Sequence, residues 1–391
     1  MKTMSKFGWM TEELTRLKGQ NLYRKLRLLE DIKGTEATID GRKVTLFCGN
    51  DYLGLSQHPG LIEAAKQALE TSGVGTGSAR LISGTQKWHT ALEDRIACFL
   101  GKERALLFSS GYLANLGVLS ALTQSGDTVI LDKLSHASLI DAARLADKTV
   151  RVYPHKNLDY LEKILKGAKT GRSWIVTDSI FSMDGDLAPL ADLVELKNRY
   201  GAYLVIDEAH GTGIFGESGR GVAEHFHVSN EIDIHVGTLS KAIGSFGGFV
   251  AGQSELIDYL VNFARPFIFE TALPPSICAA SIKAFDLIEE QLDFRKCLWQ
   301  NIKMLRKGLG EIGAPLLEGE SPIVPVIFGD EKKTLKAAEF LLKEGFLIPA
   351  VRYPTVPKGK ARLRITVSRV HSDDQINRLI KTFKRLSSLA D

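Results

Sequence analysis

From Asn50 onward, short apolar runs alternate with segments of helical periodicity, and this alternation constrains the fold more than any other feature of the chain. Several of the runs are apolar on both faces, as expected for strands that helices cover on both sides of a largely parallel sheet. The pattern therefore predicts an α/β domain. We interpret the following runs as its strands: ALLFSS (105–110), TVILD (128–132), VRVY (150–153), WIVTDSI (174–180), YLVIDEA (203–209), DIHVGTL (233–239) and GGFVAG (247–252).

The pattern changes on either side of this region, which predicts three parts. Residues 1–48 are expected to hold an N-terminal helix, over 10–33, and short strands. Residues 49–286 form the large domain, and residues 287–391 a smaller C-terminal α/β domain. The final helix of that domain follows Ser372 and Gln375, which have the spacing of a capping box.

Composition excludes several classes of protein. The chain has 50 basic and 46 acidic residues, a balance that argues against dedicated binding of nucleic acid or of a membrane surface. No run approaches the roughly 18 apolar residues of a membrane span, and the N-terminus lacks the features of a signal peptide. We therefore expect a cytoplasmic protein. Its cysteines show no CxxC spacing, which favours reduced thiols and no metal site; they are Cys48, Cys98, Cys278 and Cys297.

Two neighbouring strand runs end in side chains of the kind that bind pyridoxal phosphate (PLP). Asp207 and His210 follow one run, and Thr238, Ser240 and Lys241 follow the other. A lysine forms a Schiff base with PLP, and a carboxylate keeps the pyridine nitrogen protonated so that the ring accepts electrons. An imidazole can bond the ring hydroxyl, and hydroxyl groups can hold the phosphate. Singly, such an acid is often a metal or nucleotide ligand and such a lysine is often only solvated. Together they predict a PLP site.

Other strand ends carry further candidates. Gly111 and Tyr112 follow a strand and open a helix, where backbone N–H groups bind phosphate well, although the junction can also be an ordinary one. His136 can stack on a flat ring, or it can be a solvated surface histidine. Ser182 lies in a turn whose bend is marked by Asp184-Gly185.

Other catalytic schemes find no support in the sequence. The chain contains no GxSxG elbow, no Walker A motif and no HExxH motif. The segment GVGTGSARLISG is rich in glycine but lacks the GxGxxG pattern of a dinucleotide site. We expect it to form a loop that covers a substrate.

A series of motifs resembles those of the α-oxoamine synthases, over almost the whole chain. These are fold type I PLP enzymes that condense an amino acid with an acyl-CoA and release carbon dioxide. The resemblance implies a large, mostly parallel-sheet domain and a smaller C-terminal domain, as in the aspartate aminotransferase-like fold. The motifs are NDYLGLSQHP, GTGSARLISGTQKWHTALE, FSSGYLAN, LSHASL, FSMDGDLAPL, DEAHGTG and TLSKAIGSFGG.

The resemblance also implies roles for individual residues. Lys241 would hold PLP, Asp207 would bind its pyridine nitrogen, and His136 would stack on its ring; these three are the expected catalytic residues. The other implied cofactor contacts are His210 at the ring hydroxyl, Gly111, Tyr112, Ser182 and Thr238, together with Thr271 on the phosphate of the partner subunit's cofactor. The implied substrate contacts are Arg24, Thr355 and Arg364, together with Asn50 toward the partner's substrate. A homodimer with shared active sites follows from the last two groups.

Within the family, three segments resemble the members of the biotin pathway, which use L-alanine and a pimeloyl thioester of CoA or acyl carrier protein. The segments are AHGTG, FETALPP (269–275) and YPTVPKGKARLRIT (353–366). Glu270 departs from the family, which commonly has a small or hydroxyl residue there, and this bears on the shape of the acyl tunnel. One alternative is a member that uses glycine and another acyl-CoA. A second is a PLP-fold subunit without activity, against which Lys241 and Asp207 together argue.

Overall fold

The structure, a computed structural model, describes residues 6–145, 149–168 and 170–387. The chain forms two compact units. One unit is Asn50–Trp299; the other comprises the described residues up to Gly49 together with those from Gln300 onward. Among the described residues, no helix combines the length and the apolar character that crossing a membrane requires.

The strands are short and rich in Val, Ile and Leu, residue types that suit a pleated, buried surface. Each apolar run interpreted above as a strand contains one strand of the structure. The strands are β1 (Glu30–Lys33), β2 (Glu36–Ile39), β3 (Arg42–Leu46), β4 (Arg104–Phe108), β5 (Thr128–Asp132), β6 (Thr149–Tyr153), β7 (Ser173–Asp178), β8 (Tyr203–Asp207), β9 (Ile234–Thr238), β10 (Gly248–Gly252), β11 (Ile323–Gly329), β12 (Phe346–Leu347), β13 (Ala350–Val351) and β14 (Ala361–Thr366).

Several helices begin at a polar residue whose side chain accepts a hydrogen bond from the first turn, as at Ser110, Asn157 and Asp330. A π-helical turn, Arg80–Gly84, and a 3₁₀ turn, Ser229–Glu231, also occur. The α-helices are α1 (Gly8–Gly19), α2 (Pro59–Ser72), α3 (Lys87–Leu100), α4 (Gly111–Leu122), α5 (Ala137–Leu145), α6 (Leu158–Gly167), α7 (Leu190–Tyr200), α8 (Val222–His225), α9 (Ser254–Phe263), α10 (Arg265–Ile268), α11 (Pro275–Glu290), α12 (Leu292–Glu311), α13 (Glu331–Lys343) and α14 (Asp373–Ser387).

A seven-stranded sheet organises the unit Asn50–Trp299, in the order β4-β10-β9-β8-β7-β5-β6. The pairs from β9 through β6 are parallel, whereas β10 is antiparallel to both β4 and β9. Every strand except β10 therefore runs in one direction. The predicted α/β class with a large, mostly parallel sheet is confirmed.

Branched apolar side chains join this sheet to helix α4. Val176, Val205 and Val236, on three adjacent strands, belong to one buried cluster with Val118 and Leu119 of the helix, and all five are 0% exposed. Burying a side chain of this size stabilises the fold by about 1.5–3 kcal/mol. The cluster therefore fixes α4 firmly on the sheet, at the position where its first turn meets the candidate site.

The second unit contains two small sheets, β1-β2-β3-β12 and β11-β14-β13. Phe346 of β12 pairs with Thr45 of β3, so the N-terminal and C-terminal parts share a sheet. For this reason residues 1–48, predicted as a separate part, belong to the same compact unit as the C-terminal domain. That unit resumes at Gln300, later than the predicted boundary after residue 286; the terminal residues 1–5 and 388–391 lie outside the described residues.

Both ends of this unit contain a helix boundary that the sequence encodes. The predicted capping box is present: Ser372 N donates to Gln375 Oε1 at 3.0 Å, and Gln375 N donates to Ser372 Oγ at 3.2 Å. The predicted helix 10–33 is wrong, because α1 ends at Gly19. Asn21 adopts a positive φ of 57°, and Leu22 N donates to Leu17 O at 2.9 Å, which closes a Schellman motif.

Candidate active site

The predicted site residues of the unit Asn50–Trp299 cluster by topology, because carboxyl ends of parallel strands meet at one edge of the sheet. Asp207 and Thr238 are the last residues of β8 and β9. The other residues follow within a few positions: Gly111 and Tyr112 after β4, His136 after β5, Ser182 after β7, His210 after β8 and Lys241 after β9.

Two hydrogen bonds fix the buried carboxylate of Asp207. Ala209 N donates to Oδ1 at 2.8 Å, and Asn115 Nδ2 donates to Oδ2 at 2.7 Å. Asn115 lies in α4, one turn after Gly111, and the sequence interpretation missed it. Its one signal is its type, an amide in the otherwise apolar helix GYLANLGVLSAL. Its Oδ1 atom is buried and has no partner among the described residues.

The same amide connects Asp207 to His136. Asn115 Nδ2 also donates to Ser138 Oγ at 2.9 Å, and Ser138 Oγ lies 2.8 Å from His136 Nδ1. Ser138 N donates to that nitrogen as well, at 3.3 Å. Because both contacts treat Nδ1 as an acceptor, the ring proton of neutral His136 resides on Nε2.

The His136 ring remains exposed, so one face is available for stacking. Packing of protein around it lowers the pKa of His136, since the neutral ring is favoured there. The Asp207 carboxylate opposes this change, and the Lys241 ammonium reinforces it. His136, Asp207 and Lys241 therefore lie close enough to act on one another electrostatically.

Asp178, the last residue of β7, is a second carboxylate that the sequence interpretation missed. It is buried, and its Oδ2 atom accepts a hydrogen bond from His136 N at 2.8 Å. Burial raises the pKa of Asp178 well above its usual range, and the neighbouring Asp207 raises it further. A protonated Asp178 leaves Asp207 as the carboxylate that keeps a negative charge beside Lys241.

The start of α4 and the end of β9 form a cradle for an anion. The first N–H groups of a helix have no acceptor within it and attract phosphate. A Cβ atom at Gly111 would lie 3.3 Å from Thr238 Cβ, and one at Gly248 would lie 2.4 Å from Gly111 N, so only glycine permits this approach. Thr238 Oγ1 donates to Gly247 O at 2.8 Å and lies 2.8 Å from Ser240 Oγ.

His210 and Asn50 are connected through a buried tyrosine. Tyr52 Oη lies 2.7 Å from His210 Nδ1 and donates to Asn50 Oδ1 at 3.2 Å. With the tyrosine proton directed to Asn50, His210 Nδ1 is the donor to Tyr52. Tyr52 belongs to the motif NDYLGLSQHP, but its side chain was not among the predicted site residues.

Three predicted cofactor contacts lie at the surface of this unit. The Tyr112 hydroxyl donates to Asp141. Ser182 is half-buried in a turn closed by a 2.7 Å bond from Gly185 N to Phe181 O. Thr271 is exposed, pairs with Ala79, and lines a small crevice that also contains Ser109.

The predicted substrate residues Arg24, Thr355 and Arg364 belong to the other unit. Arg24 Nη2 donates to Thr355 Oγ1 at 3.4 Å. Arg352, which the sequence interpretation missed, is the second cation of this region: burial lowers its pKa, and the nearby Arg24 lowers it further. Arg24 also lines a cavity of about 940 Å³ together with Tyr353 and Lys358. Arg364 is buried on β14.

The residue types around the sheet edge fit PLP. A helix start and two hydroxyls suit its phosphate, a fixed carboxylate suits its pyridine nitrogen, an amine suits its aldehyde, and an exposed imidazole suits its ring face. Within the described ranges, no group of three His, Cys, Asp or Glu side chains is arranged to hold a metal ion.

Replacement of Asn115 by alanine tests this arrangement. Asn115→Ala removes the side-chain donor to Asp207, and a hydrogen bond to a charged group is worth enough that PLP affinity should fall by about ten-fold or more. Titration of the protein with PLP, followed by visible absorption, measures the change. Asn198→Ala is the control, since Asn198 is exposed and donates to Glu231 instead. An Asn115→Ala affinity equal to that of the control contradicts the role.

Comparison with known proteins agrees with the site. Residues 42–383 match the family model of class I and II aminotransferases. The chain is 47% identical to the 8-amino-7-oxononanoate synthase of Geotalea daltonii, with 96% of each chain covered. It is 45% identical to 8-amino-7-oxononanoate synthase 2 of Bacillus subtilis, again with 96% of each covered.

Solved structures give the same result. A serine palmitoyltransferase from Sphingomonas wittichii has a TM-score of 0.93 and 35% identity, with 100% of this chain and 99% of that chain covered. One from S. paucimobilis, which carries PLP joined to myriocin, has a TM-score of 0.94 and 32% identity, with the same coverage. The chain therefore belongs to the class I and II aminotransferase family and, within it, to the α-oxoamine synthases.

Proposed function

We propose that this chain is a PLP-dependent acyltransferase that condenses L-alanine with a pimeloyl thioester of CoA or acyl carrier protein. The products are 8-amino-7-oxononanoate, carbon dioxide and the free thiol carrier, and the reaction serves biotin synthesis. The observation that carries this proposal is the name shared by relatives that are 47% and 45% identical over 96% of the chain. The arrangement of Asp207, His136 and Lys241 at one sheet edge supports it independently.

Lys241 and Asp207 carry out the proton chemistry in this proposal. When bound, PLP supplies an electron-accepting ring that stabilises negative charge at the Cα atom of an attached amino acid. Lys241 Nζ holds the cofactor and, once L-alanine has displaced it, removes the Cα proton as a general base. Asp207 keeps a proton on the pyridine nitrogen, and the bonds from Asn115 and Ala209 hold its carboxylate in the required orientation.

His136 acts as a neutral ring in this proposal. Its lowered pKa keeps the imidazole uncharged near pH 7, and the donors from Ser138 hold Nδ1. A neutral ring can stack on the cofactor without cancelling the charge of the pyridinium that Asp207 maintains. His210 would bond the ring hydroxyl. Gly111, Tyr112, Ser182 and Thr238 complete the proposed cofactor contacts.

Arg24, Arg352 and Thr355 are proposed to bind the acyl substrate. A pimeloyl chain ends in a carboxylate, which requires a cationic or hydrogen-bonding partner inside a protein. Two guanidinium groups that depress each other's basicity, as Arg24 does for Arg352, gain stability from an anion between them. Arg364 is proposed to bind substrate as well, and Glu270 to shape the acyl tunnel.

A homodimer with shared active sites completes the proposal, together with a cytoplasmic location. Two segments joined by the Ala79–Thr271 bridge present apolar side chains to solvent. Exposed apolar clusters of this kind mark interaction surfaces, and we assign this one to a second copy of the chain, which Thr271 would reach. The exposed fractions are 81% for Val74, 50% for Leu81, 82% for Ile82 and 70% for Phe269.

The first test of the reaction is a product assay. The purified protein, incubated with L-alanine and a panel of acyl-CoA thioesters, should release carbon dioxide and form the pimeloyl product, identified by mass spectrometry. Lys241→Ala should abolish turnover, because the amine that holds the cofactor and moves the proton is lost. Preference for glycine with acetyl-CoA would contradict the biotin-pathway assignment and leave the family assignment intact. A pyridoxyl mass on another lysine after borohydride reduction would contradict the role of Lys241.

The second test concerns the acyl carboxylate. Arg24→Ala should raise the KM for pimeloyl-CoA by about ten-fold, the effect of removing one charge-assisted hydrogen bond. The spectral change that L-alanine induces should remain, since Arg24 acts on the other substrate. Arg27→Ala is the matched control, an exposed arginine three residues away. Equal KM values for the two variants would rule out the proposed role of Arg24.

The third test concerns the dimer. A Lys241→Ala chain mixed with a Thr271→Asp chain should regain activity, because a mixed dimer then contains one intact shared site. With random assembly, about a quarter of the sites are intact. A mixture of Lys241→Ala and Asp207→Asn chains is the control and should stay inactive, since these two residues of one site come from the same chain. A fully active monomer by light scattering would overturn the shared site.

A further inference from the structure

An ionic cluster lies at the same sheet edge and includes none of the predicted site residues. Its centre is His155, which follows β6. His155 Nδ1 lies 2.9 Å from Asp132 Oδ1, and Nε2 lies 3.0 Å from Asp186 Oδ2. Lys156 Nζ joins Asp186 Oδ2 at 3.0 Å. The cluster thus links segments that follow three adjacent strands, β5, β6 and β7.

Asp132 connects His155 to the turn that leads to His136. It is the last residue of β5 and is 1% exposed. Its Oδ1 atom also accepts a hydrogen bond from Leu134 N at 2.8 Å, and its Oδ2 atom accepts one from Lys156 N at 2.9 Å. The orientation of this carboxylate therefore determines the path of the backbone immediately before His136.

Asp186 connects His155 to the turn that carries Ser182. Phe181 N donates to Asp186 O at 3.0 Å, and the Phe181 ring packs edge-to-face with the His155 ring at a centroid distance of 4.4 Å. Asp186 Oδ1 is buried and has no partner among the described residues, so the carboxylate depends on His155 and Lys156 for its stabilisation. Removal of His155 would leave a poorly compensated charge in this turn.

His155 is a cation in this setting, because both ring nitrogens face carboxylate oxygens and must donate. Burial alone would lower its pKa, but the hydrogen bonds to Asp132 and Asp186 outweigh burial and raise the pKa to about 9. The other titratable groups around Asp132 are Tyr153, whose pKa is raised by burial, and Asp178, whose pKa is also raised by burial. Both remain neutral near pH 8 and do not screen the cluster.

We propose that His155 is a positioning residue for the reaction: its imidazolium bridges Asp132 and Asp186 and thereby fixes the two turns that present His136 and Ser182 to the cofactor. This inference rests on the proposed PLP function of the site. It extends the functional residues to a side chain that acts through its two carboxylate partners rather than on the reacting atoms.

The first arm of the test measures stability against pH, on the full chain freed of PLP. The pKa of His155 is raised from its ordinary value near 6.5, so its stabilising effect is complete below pH 6.5 and is lost as the pH rises through about 9. Relative to His155→Gln, the folded-to-unfolded ratio of the native protein should fall on the order of a hundred-fold between pH 6 and pH 10. Urea unfolding at several pH values measures it.

Two further variants guard against a general effect of losing a buried histidine. His235→Gln alters a buried histidine at the start of β9, where burial lowers the pKa to about 3, and it should keep the alkaline loss of the native protein. Asp186→Asn retains His155 but weakens its charge partner, so the loss should move to lower pH. The second variant keeps the inference testable if His155→Gln does not fold.

The second arm measures the cofactor site. His155→Gln should weaken PLP binding by about ten-fold, a coupling expected of residues in one network, and should change the visible circular dichroism of bound PLP. His235→Gln should do neither. Unchanged affinity and dichroism in His155→Gln, with the pH effect removed, overturn the positioning role while leaving the proposed function standing. If the native protein binds no PLP, the proposed function fails and the positioning role fails with it.

Discussion

The close approach of helix α4 to the sheet is the constraint on which the site depends. It requires positions without a side chain, since a Cβ atom at Gly117 would lie 2.7 Å from the Phe108 ring and one at Gly248 would lie 2.4 Å from Gly111 N. The seated helix brings its free N–H groups beside Thr238 and its amide, Asn115, to Asp207. One helix thus supplies both an anion cradle and the support of the central carboxylate.

The sheet edge also concentrates buried acids, and their surroundings give them different charges. Glu208, next to Asp207, is enclosed by protein; burial raises its pKa to about 7, although Ser179 Oγ at 2.7 Å and Ala223 N at 2.9 Å stabilise the carboxylate. A Cβ atom at Gly211 would lie 2.0 Å from its Oε2 atom. Glu208 therefore anchors the loop that follows His210, whereas Asp207 faces Lys241. Adjacent acids of one motif serve different purposes because their partners differ.

The sequence alone predicted what depends on chain order and missed what depends on packing across the sheet. Strand runs, the capping box at Ser372 and the polar strand ends are local patterns, and the parallel arrangement brings those strand ends to one edge. Asn115 and Asp178 acquire their importance from partners distant in the chain, so no local signal identified them. The error at α1 is different in kind, because the sequence Gly-Gln-Asn at 19–21 is a helix stop that could have been interpreted as one.

The antiparallel strand β10 has a consequence for synthesis of the chain. It separates β4 from β9 in the sheet, and Phe108 of β4 pairs with Gly248 of β10. While the ribosome produces the residues between them, β4 has no neighbour on that side, and its apolar edge is open to other chains. Contacts of such long sequence separation form slowly. The nascent protein is therefore most vulnerable to aggregation until the strand after Lys241 emerges, and only then can the sheet close around the site.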